Sequence, residues 1–401
     1  MPAAQCPSDL IDRRALLALA RALIRIPTPN PPGDERLAAK LLEPRLREIG
    51  FQVKRVISPA GRWNLLATRG FDGPGARARK SRARTFLFNG HLDVVPVGDR
   101  EAWTHPPFGG KVTGGKLWGR GAVDMKGGVA AMIEAAAAVT RAGIRSPHRV
   151  AIHLVSDEEA LGGEGTEFLA RRKLLRADMA LVGEPTGLLP ALASKGTLRG
   201  RIHLIGRAAH SSTPERGVNA VLHAAHLIRQ LSRLKFRTRH PLLGRPSLVV
   251  SKIQGGVRSN IVPPSCTIEF DRRVIPGETE AQIRREIAGV LRDLRGTHAG
   301  FRAKVEYGVF ARPSEIPANA EVVRLADAAL RAVDGKPPRH TALSGTTDAR
   351  FLIHQARIPT VILGPGDFGQ AHAANEHLPV ADLDRAARVY AFMLARFLGS
   401  P

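Results

Sequence analysis

Most of the structural signal lies in the segment Phe86–Glu134, which reads FLFNGHLDVVPVGDREAWTHPPFGGKVTGGKLWGRGAVDMKGGVAAMIE. The apolar run Thr85–Phe88 indicates a strand, and His91 and Asp93 follow it with side chains that an extended backbone points the same way. Asp124 stands among glycines directly before an Ala-rich run that is typical of a helix. This pattern predicts a metal site held by His91 and Asp124.

The 401 residues, 43% of them hydrophobic, suffice for two domains or one large one. The longest apolar runs are far shorter than the roughly 20 residues of a membrane helix, so no membrane span is predicted. Residues 9–26 carry acidic residues within a helical apolar period, which is typical of an amphipathic helix rather than a signal peptide. Cys6 and Cys266 lie far apart in sequence, which suits a reducing compartment. We therefore expect a cytoplasmic protein without a structural disulfide.

Lysine and arginine exceed aspartate and glutamate by 60 to 36, which gives a net charge of +24. Such a balance attracts anions, and nucleic acid is the first class of partner to consider. However, the cations are dispersed, aromatic residues make up only 5% of the chain, and no nucleic-acid-binding motif is visible. We expect a solvated basic surface and no nucleic-acid partner. The local basic cluster at 77–84 is predicted to be an exposed loop, and its partner, if any, is left open.

Strand and helix patterns alternate along the chain, which predicts an α/β fold. The first part is predicted to contain helices over 9–26, 34–49 and 129–139 and strands over 51–56, 64–68, 85–88, 149–155 and 179–182. From about residue 191 the order changes to strand, helix, strand, strand, helix, strand, which is that of a ferredoxin-like unit. The sequence therefore predicts a discontinuous domain, 1–190 and 309–401, interrupted by an inserted domain, 191–308.

Three predicted strands end in acidic or histidine-bearing segments. In open α/β sheets the ligands bind beyond the carboxyl ends of the strands, so these segments can converge on one site. Oxygen and imidazole ligands without thiolate suit Zn²⁺, Mn²⁺ or Co²⁺ in a hydrolytic site, and a shared carboxylate allows two metals about 3.5–4 Å apart. The candidate residues are His91, Asp93, Asp124, Glu158, Glu159, Glu184 and His372.

A series of motifs runs through nearly the whole chain. They are NGHLDVVP (89–96), WTHPPFGG (103–110), GGKLWGRGAVDMKGG (114–128), SDEEALGGEGT (156–166), VGEPT (182–186), GRAAHSSTPERGVNA (206–220), GGVRSNIVPP (255–264), SGTTDARF (344–351) and QAHAANEH (370–377). Their order resembles the metallopeptidase M20 family, in its acetylornithine deacetylase and succinyl-diaminopimelate desuccinylase branch. The resemblance implies a zinc-aminopeptidase-like catalytic domain, with a mixed sheet flanked by helices, and an inserted ferredoxin-like α+β domain for lid and dimer formation.

The same resemblance implies how a pair of divalent ions is held. Asp124 matches the carboxylate that bridges the two ions. His91 and Glu184 match the ligands of one ion, and Glu159 and His372 match those of the other. Two divalent ions are therefore expected, with Zn²⁺ favoured over Co²⁺ and Mn²⁺.

Further residues match catalytic positions of the family. Asp93 matches the carboxylate that orients the ligand histidine, and Glu158 matches the general base for attack of metal-activated water on an amide carbonyl. The opposite assignment of Glu158 and Glu159 is left open, because spacing alone does not separate neighbouring carboxylates. His210 matches a histidine that the inserted domain offers to the tetrahedral oxyanion. Substrate contacts are implied for Arg258, Asn260, Thr346 and Arg350.

The expected activity is that of a di-metal amidohydrolase that removes an acetyl or succinyl group from an amino acid or a related small diacid. Two branch signals differ, since GTTDARF is closer to the desuccinylase motif and LGPGDFGQAH resembles the deacetylase ending. A dipeptidase, carboxypeptidase or aminoacylase of the same family is the alternative. A non-catalytic binding protein is less favoured, because none of the matched ligands is missing. A homodimer through the inserted domain is implied.

Overall fold

The computed structural model describes residues 7–72 and 83–399. The chain forms two compact units. The first comprises Met1–Leu192, Glu315–Leu343 and Thr347–Pro401, and the second comprises Ala193–Ser314 and Ser344–Thr346. Cys6 and positions 77–82 of the predicted basic loop lie outside the described residues. A lid or dimerisation role for the second unit stays a prediction.

Helices and strands alternate along the chain. The described helices are α1 (Arg13–Ile24), α2 (Arg36–Glu48), α3 (Gly127–Arg141), α4 (Thr166–Arg171), α5 (Ala220–Leu231), α6 (Glu280–Thr297), α7 (Glu321–Asp334), α8 (Ala349–His354) and α9 (Val380–Leu398). The described strands are β1 (Gln52–Ile57), β2 (Trp63–Phe71), β3 (Thr85–His91), β4 (Lys111–Thr113), β5 (Lys116–Trp118), β6 (Ser146–Val155), β7 (Met179–Val182), β8 (Ala191–Ser194), β9 (Gly196–Ile205), β10 (Ser247–Gly255), β11 (Ser265–Val274), β12 (Ala303–Ala311), β13 (Ser314–Glu315), β14 (Thr341–Leu343), β15 (Thr360–Ile362) and β16 (His377–Pro379). No described helix has the length and hydropathy of a membrane span.

The main sheet has the strand order β1-β2-β6-β3-β7-β15-β8-β13, and β14 pairs with β8. β6, β3, β7 and β15 are parallel, whereas β1, β2 and β8 join by antiparallel pairing. Because β3, β6 and β7 end at the same edge, the segments that follow them come together there. The mixed sheet flanked by helices confirms the predicted fold class.

Apolar cores cover both faces of this sheet. Phe86 and Phe88 of β3 point to one face, where they pack with α3 and α9, and Tyr390 of α9 donates a hydrogen bond to the Leu363 carbonyl at 2.6 Å. Leu87 points to the other face and joins a core with residues of α4 and α8. Every residue of α3 from its start to position 139 is buried, because its alanines and glycines let neighbouring elements approach closely. The helices thereby fix the sheet whose edge carries the candidate site.

β3 runs three residues beyond its predicted end at Phe88. Asn89-Gly90 has the composition of a turn, but both residues continue the parallel pairing with β6 up to His91. A side chain at position 90 would lie 2.8 Å from the Cε atom of Met125, so glycine is needed for this close packing. His91 is therefore held by a strand and not by a loop.

The second unit has an antiparallel sheet with the order β10-β11-β9-β12. Along β11, buried residues alternate with partly exposed ones, so one face packs against α5 and α6. α6 begins with a capping box between Thr279 and Gln282, in which side chain and backbone bond reciprocally. The strand and helix order is the predicted ferredoxin-like one.

Candidate metal centre

His91 is the last residue of β3, and its imidazole is buried among carboxylates. Its Nε2 atom lies 3.0 Å from Asp124 Oδ1 and 3.6 Å from Glu184 Oε1. Glu184 follows β7, the strand adjacent to β3, and its side chain is also buried. The parallel register of the two strands thus places an imidazole beside two carboxylates.

Asp124 lies in the short segment Ala122–Lys126 between Gly121, which has a φ of 84°, and the start of α3. Its Oδ1 atom faces His91, while its Oδ2 atom lies 3.4 Å from His372 Nε2. The same His372 Nε2 lies 3.1 Å from Glu159 Oε2. The two oxygens of one carboxylate therefore face two different histidines, which is a geometry suited to a bridging ligand.

Glu158 and Glu159 lie on a 3₁₀ turn that follows β6. Ligand atoms of Glu158, His91 and Glu184 lie within 4.8 Å of one another, and those of Glu159, His91 and Asp124 form a second such group. Neighbouring side chains thus reach different parts of the cluster. Glu158 approaches the His91 and Glu184 side, and Glu159 approaches the other.

The charges of this cluster shift the pKa values of its members. Burial, reinforced by neighbouring carboxylates, raises the pKa of Glu158 and of Glu184 well above its usual range. Burial opposes a charged imidazole at His91, yet Glu184 and Asp124 raise its pKa well above 6.5. Hydrogen bonds with Asp124 and Glu159 raise the pKa of His372 to about 10. The clustered carboxylates therefore stabilise positive charge placed among them.

This donor set fits divalent metal ions. Four buried or nearly buried carboxylates and two imidazoles share one small volume, where like-charged carboxylates repel. A divalent cation neutralises such a group, and oxygen and nitrogen donors without thiolate suit Zn²⁺, Mn²⁺ or Co²⁺. His372, half exposed at 53%, forms the solvent side of the cluster.

The carboxylate of Asp93 contacts the turn that carries Glu158 and Glu159 more closely than it contacts His91. His91 Nδ1 lies 2.9 Å from the backbone carbonyl oxygen of Asp93 and 3.7 Å from its carboxylate. The carboxylate accepts hydrogen bonds from the backbone N–H groups of Glu158, at 3.2 Å, and Glu159, at 3.1 Å. Asn30 donates a further bond to it at 2.9 Å. Asp93 therefore holds the turn that carries both glutamates.

A buried polar chain leads from this turn towards α2, and the sequence interpretation did not include it. Asn30 donates to Asp157 Oδ1 at 3.0 Å, and Arg62 donates to the same oxygen at 3.1 Å. Arg62 also forms an ion pair with the buried Glu35. Asn30 and Glu35 lie in no recognisable motif, so only the folded arrangement reveals them.

A second group that the sequence interpretation missed is a buried ion pair between Arg120 and Glu376. Arg120 donates to the His372 carbonyl oxygen at 3.2 Å. Glu376 accepts hydrogen bonds from the backbone N–H groups of Val123, at 2.9 Å, and Asp124, at 3.2 Å. Arg120 lies within the motif segment GRGAVDMK and Glu376 within QAHAANEH, and their place in these motifs is the sequence signal that could have found them.

The predicted contacts His210, Arg258 and Asn260 lie in the second unit. His210 Nδ1 lies 2.7 Å from Ser212 Oγ, and the Asn260 carbonyl accepts the N–H of Ser211 at 3.1 Å. The backbone of His210 also forms an isolated bridge with Ile261, so these segments are neighbours within that unit. Their contacts with substrate stay predictions.

The remaining predicted contacts are Thr346 and Arg350. The Thr346 hydroxyl donates to the Lys195 carbonyl at 3.0 Å within the second unit. Arg350, in the first unit, is buried, and donates to the Leu161 carbonyl at 2.6 Å. Its guanidinium also stacks on the Phe351 ring at 4.2 Å. Arg350 is therefore already engaged by the protein, and its role towards substrate is untested.

A cluster of imidazoles and carboxylates at the carboxyl edge of a mixed sheet is typical of a metal-dependent hydrolase. Residues 87–396 match Peptidase family M20/M25/M40. The succinyl-diaminopimelate desuccinylase of Alkalilimnicola ehrlichii is 33% identical, with 96% of this chain and 99% of that protein covered. The protein of the same name from Methylorubrum populi is 35% identical, with coverages of 96% and 98%. The chain therefore belongs to peptidase family M20/M25/M40, and it is a metal-dependent hydrolase of amides.

Solved structures share the fold. A tripeptidase from Staphylococcus aureus has a TM-score of 0.80 at 22% identity, covering 98% of this chain and 100% of its own. A metallo-carboxypeptidase of the M20 family from Sulfolobus solfataricus has a TM-score of 0.78 at 19% identity, with coverages of 94% and 98%. A dinuclear metal-binding peptidase from Bacillus subtilis has a TM-score of 0.72 at 16% identity, with coverages of 97% and 99%.

Proposed function

We propose that the chain removes an N-acyl group, succinyl or acetyl, from an amino acid or a related small diacid. Relatives named succinyl-diaminopimelate desuccinylase align over nearly the whole chain at 33% and 35% identity, which supports succinyl as the first group to test. The observation that carries the proposal is the placement of the Glu158 carboxylate beside His91 and Glu184, within a cluster that Asp124 and His372 complete.

The proposal includes two divalent ions, with Zn²⁺ as the first candidate. One would be held by His91, Asp124 and Glu184, and the other by Asp124, Glu159 and His372. The contacts of the two Asp124 oxygens with separate histidines support this division. When bound, such ions polarise an amide carbonyl and lower the pKa of water towards ~7.

Glu158 is the proposed general base. It would take a proton from the attacking water and return it to the amine that leaves. Burial raises the pKa of Glu158, which supports this role. A carboxylate with a raised pKa accepts a proton from water more readily near neutral pH. Asp93 is a positioning residue in this proposal, since its carboxylate holds the backbone N–H groups of both glutamates.

The second unit would supply substrate contacts. We propose that His210 donates to the developing oxyanion and that Arg258, Asn260 and Thr346 contact the substrate, together with Arg350 of the first unit. The assigned domains are 1–190 with 309–401 for catalysis and 191–308 for closure and dimer formation. The protein would work in the cytoplasm, where a chain with two distant cysteines stays reduced.

A homodimer through the second unit is part of the proposal. β10 is an edge strand of its sheet, and it exposes Val249 at 58% and Ile253 at 52%. Leu222 of α5 is 53% exposed. Edge strands with exposed apolar side chains favour association with another chain, and a second copy is the partner proposed here.

The test is a hydrolysis screen of N-succinyl, N-acetyl, N-formyl and N-carbamoyl amino acids and of dipeptides, with Zn²⁺, Co²⁺ or Mn²⁺ supplied. N-succinyl-diaminopimelate is expected to be cleaved. Metal-loaded protein that cleaves none of these compounds would overturn the substrate class.

The residue assignment is tested by comparing Glu158→Gln with Glu159→Gln. Glu158→Gln should lower kcat by about 10²–10⁴-fold while both metals persist. Glu159→Gln should weaken metal binding. The reverse pattern would exchange the two roles, and the exposed Glu48→Gln serves as the control.

A further inference from the structure

A cavity of about 420 Å³ lies on one face of the main sheet. It is lined by Thr85, the first residue of β3, whereas His91 is the last residue of that strand. The lining extends along β6 to His153, which pairs with Asn89, two residues before His91. The cavity shares no lining residue with the metal centre and is a separate feature of the first unit.

The strand register places the lining side chains on a common face. Lys54 of β1 pairs with Leu66, which pairs with His153 of β6, and all three line the cavity. Arg149 lies four residues before His153 on β6 and pairs with Thr85. Because alternate residues of a strand share a face, these side chains point the same way. Arg176, from the segment after α4, completes the cationic lining.

Three cations, Lys54, Arg149 and Arg176, surround this cavity, and no described residue that lines it is acidic. None of the three forms an ion pair within the described part of the chain. The nearby Asp178 carboxylate instead accepts the backbone N–H of Thr85 at 2.8 Å. By contrast Arg55, the neighbour of Lys54 in β1, pairs with Glu43 at 2.6 Å. All three cations are exposed to solvent, so their charge is available to an anionic ligand.

His153 is a second and independent indication of a ligand. Its side chain lines the cavity although the residue is only 4% exposed, and its Nδ1 atom has no hydrogen-bond partner among the described residues. Burial lowers the pKa of His153 to about 4, so the imidazole is neutral at pH 7 and offers one donor and one acceptor. Buried polar atoms normally have partners, so this unpaired imidazole at the cavity wall is a polar group that the fold itself leaves unsatisfied.

We propose that this cationic cavity, formed around Lys54, Arg149, Arg176 and His153, binds a small, multiply charged anion. The ligand chemistry is that of phosphate groups or of several carboxylates, which guanidinium groups bind by charge-assisted hydrogen bonds. The volume is within the range of small-molecule sites, about 300–1,000 Å³. The Thr68 hydroxyl, also in the lining, adds a group that donates or accepts. The inference does not depend on the reaction at the metal centre.

The test is calorimetric titration of the metal-loaded protein with inorganic phosphate, adenosine monophosphate and tricarballylate at one fixed ionic strength. Saturable binding is expected, and the triple change K54S/R149S/R176S should weaken it about tenfold or more, because each cation makes a charge-assisted contact. Binding of both phosphate and adenosine monophosphate would identify a site for phosphate groups. Binding of tricarballylate alone would identify a site for carboxylates.

The matched control removes three exposed arginines of the second unit, R229S/R285S/R292S, and should leave the affinity unchanged. Equal weakening by both triples would show non-specific attraction to a basic protein and overturn the proposal. Binding that survives K54S/R149S/R176S would place the anion outside the cavity and overturn the proposal as well. Absence of saturable binding by all three probes is the third contrary result.

A spectroscopic readout separates loss of folding from loss of the site. In protein labelled with ¹⁵N-histidine, the His153 imidazole signals should shift during titration of the unsubstituted chain with the anion that binds. Assignment uses His153→Gln. Shifts confined to His91 and His372 would contradict the cavity.

Discussion

Arg120 and Glu376 form a buried ion pair in which Arg120 Nη1 lies 2.7 Å from Glu376 Oε2. The pair joins the segment that carries His372 to the segment that carries Asp124, two positions far apart in sequence. Removal of one partner of a buried pair leaves an uncompensated charge, which costs about 3–5 kcal/mol. The pair therefore fixes the distance between two proposed ligands.

Glu376→Gln is expected to weaken binding of the ion at His372 by about 10–100-fold, as loss of a group that supports ligands does. The neutral amide loses the ion pair with Arg120 and loosens both segments. Competitive metal titration should show that the ion at His91 is less affected. Glu278→Gln is the control, because Glu278 pairs with the buried Arg272 in the second unit. If both variants lose stability and neither loses metal affinity, the pair is structural only.

Asp124→Asn is expected to reduce bound metal from two ions per chain to one or none. The carboxylate faces both histidines, so its loss affects both proposed ions. Elemental analysis after dialysis against metal-free buffer measures the stoichiometry, with the exposed Asp99→Asn as the control. An unchanged ratio of two would contradict the bridging role.

Asp93→Asn is expected to lower kcat by about 10–100-fold with most of the metal retained. The backbone N–H groups of Glu158 and Glu159 donate to different oxygens of Asp93, and asparagine replaces one oxygen by an NH2 group that cannot accept, so one bond is lost and the turn shifts. Separate determination of kcat, KM and metal content checks this. Metal loss as large as that of Asp124→Asn would instead make Asp93 mainly a support for His91.

Val249→Glu with Ile253→Glu is expected to convert a dimer into monomers, because charge on an edge strand opposes pairing. Light scattering coupled to size-exclusion chromatography measures the mass. Leu37→Glu, at a position 59% exposed in the first unit, should leave the mass unchanged. A monomeric parent chain would refute this part of the proposal.

His153 predicts a pH dependence of stability. The folded state lowers its pKa from 6.5 to about 4, so the unfolded chain binds the proton first as the pH falls. Stability is complete above pH 6.5 and is lost between pH 6.5 and 4, by at most about 3 kcal/mol. Denaturant unfolding at pH 7 and pH 5 should show a smaller loss for His153→Gln than for the parent. Equal losses would mean that His153 does not contribute.

The sequence was most informative where signals are local. The apolar run before His91 and the glycines around Asp124 indicated strand and helix ends, and the fold class, family and hydrolase class are confirmed. The roles of the individual site residues stay predictions. Short strands such as β5 and β16 were not predicted, because three residues carry too little periodicity.

Long-range partners could not be predicted for a different reason. Arg120 and Glu376 are 256 positions apart, and their contact depends on how β16 pairs with β5. Periodicity reports which residues are buried, but it does not report which buried charges meet. The contacts of Asn30 with Asp93 and Asp157 are hidden in the same way.

All five proposed metal ligands belong to the first unit, although the second unit interrupts it in sequence. Under the proposed function, metal capture and substrate enclosure therefore fall to different parts of the chain. Excision of the second unit, with a short linker in its place, would remove no ligand. Such a shortened chain is expected to load metal without cleaving substrate. Metal loading could then be measured separately from catalysis.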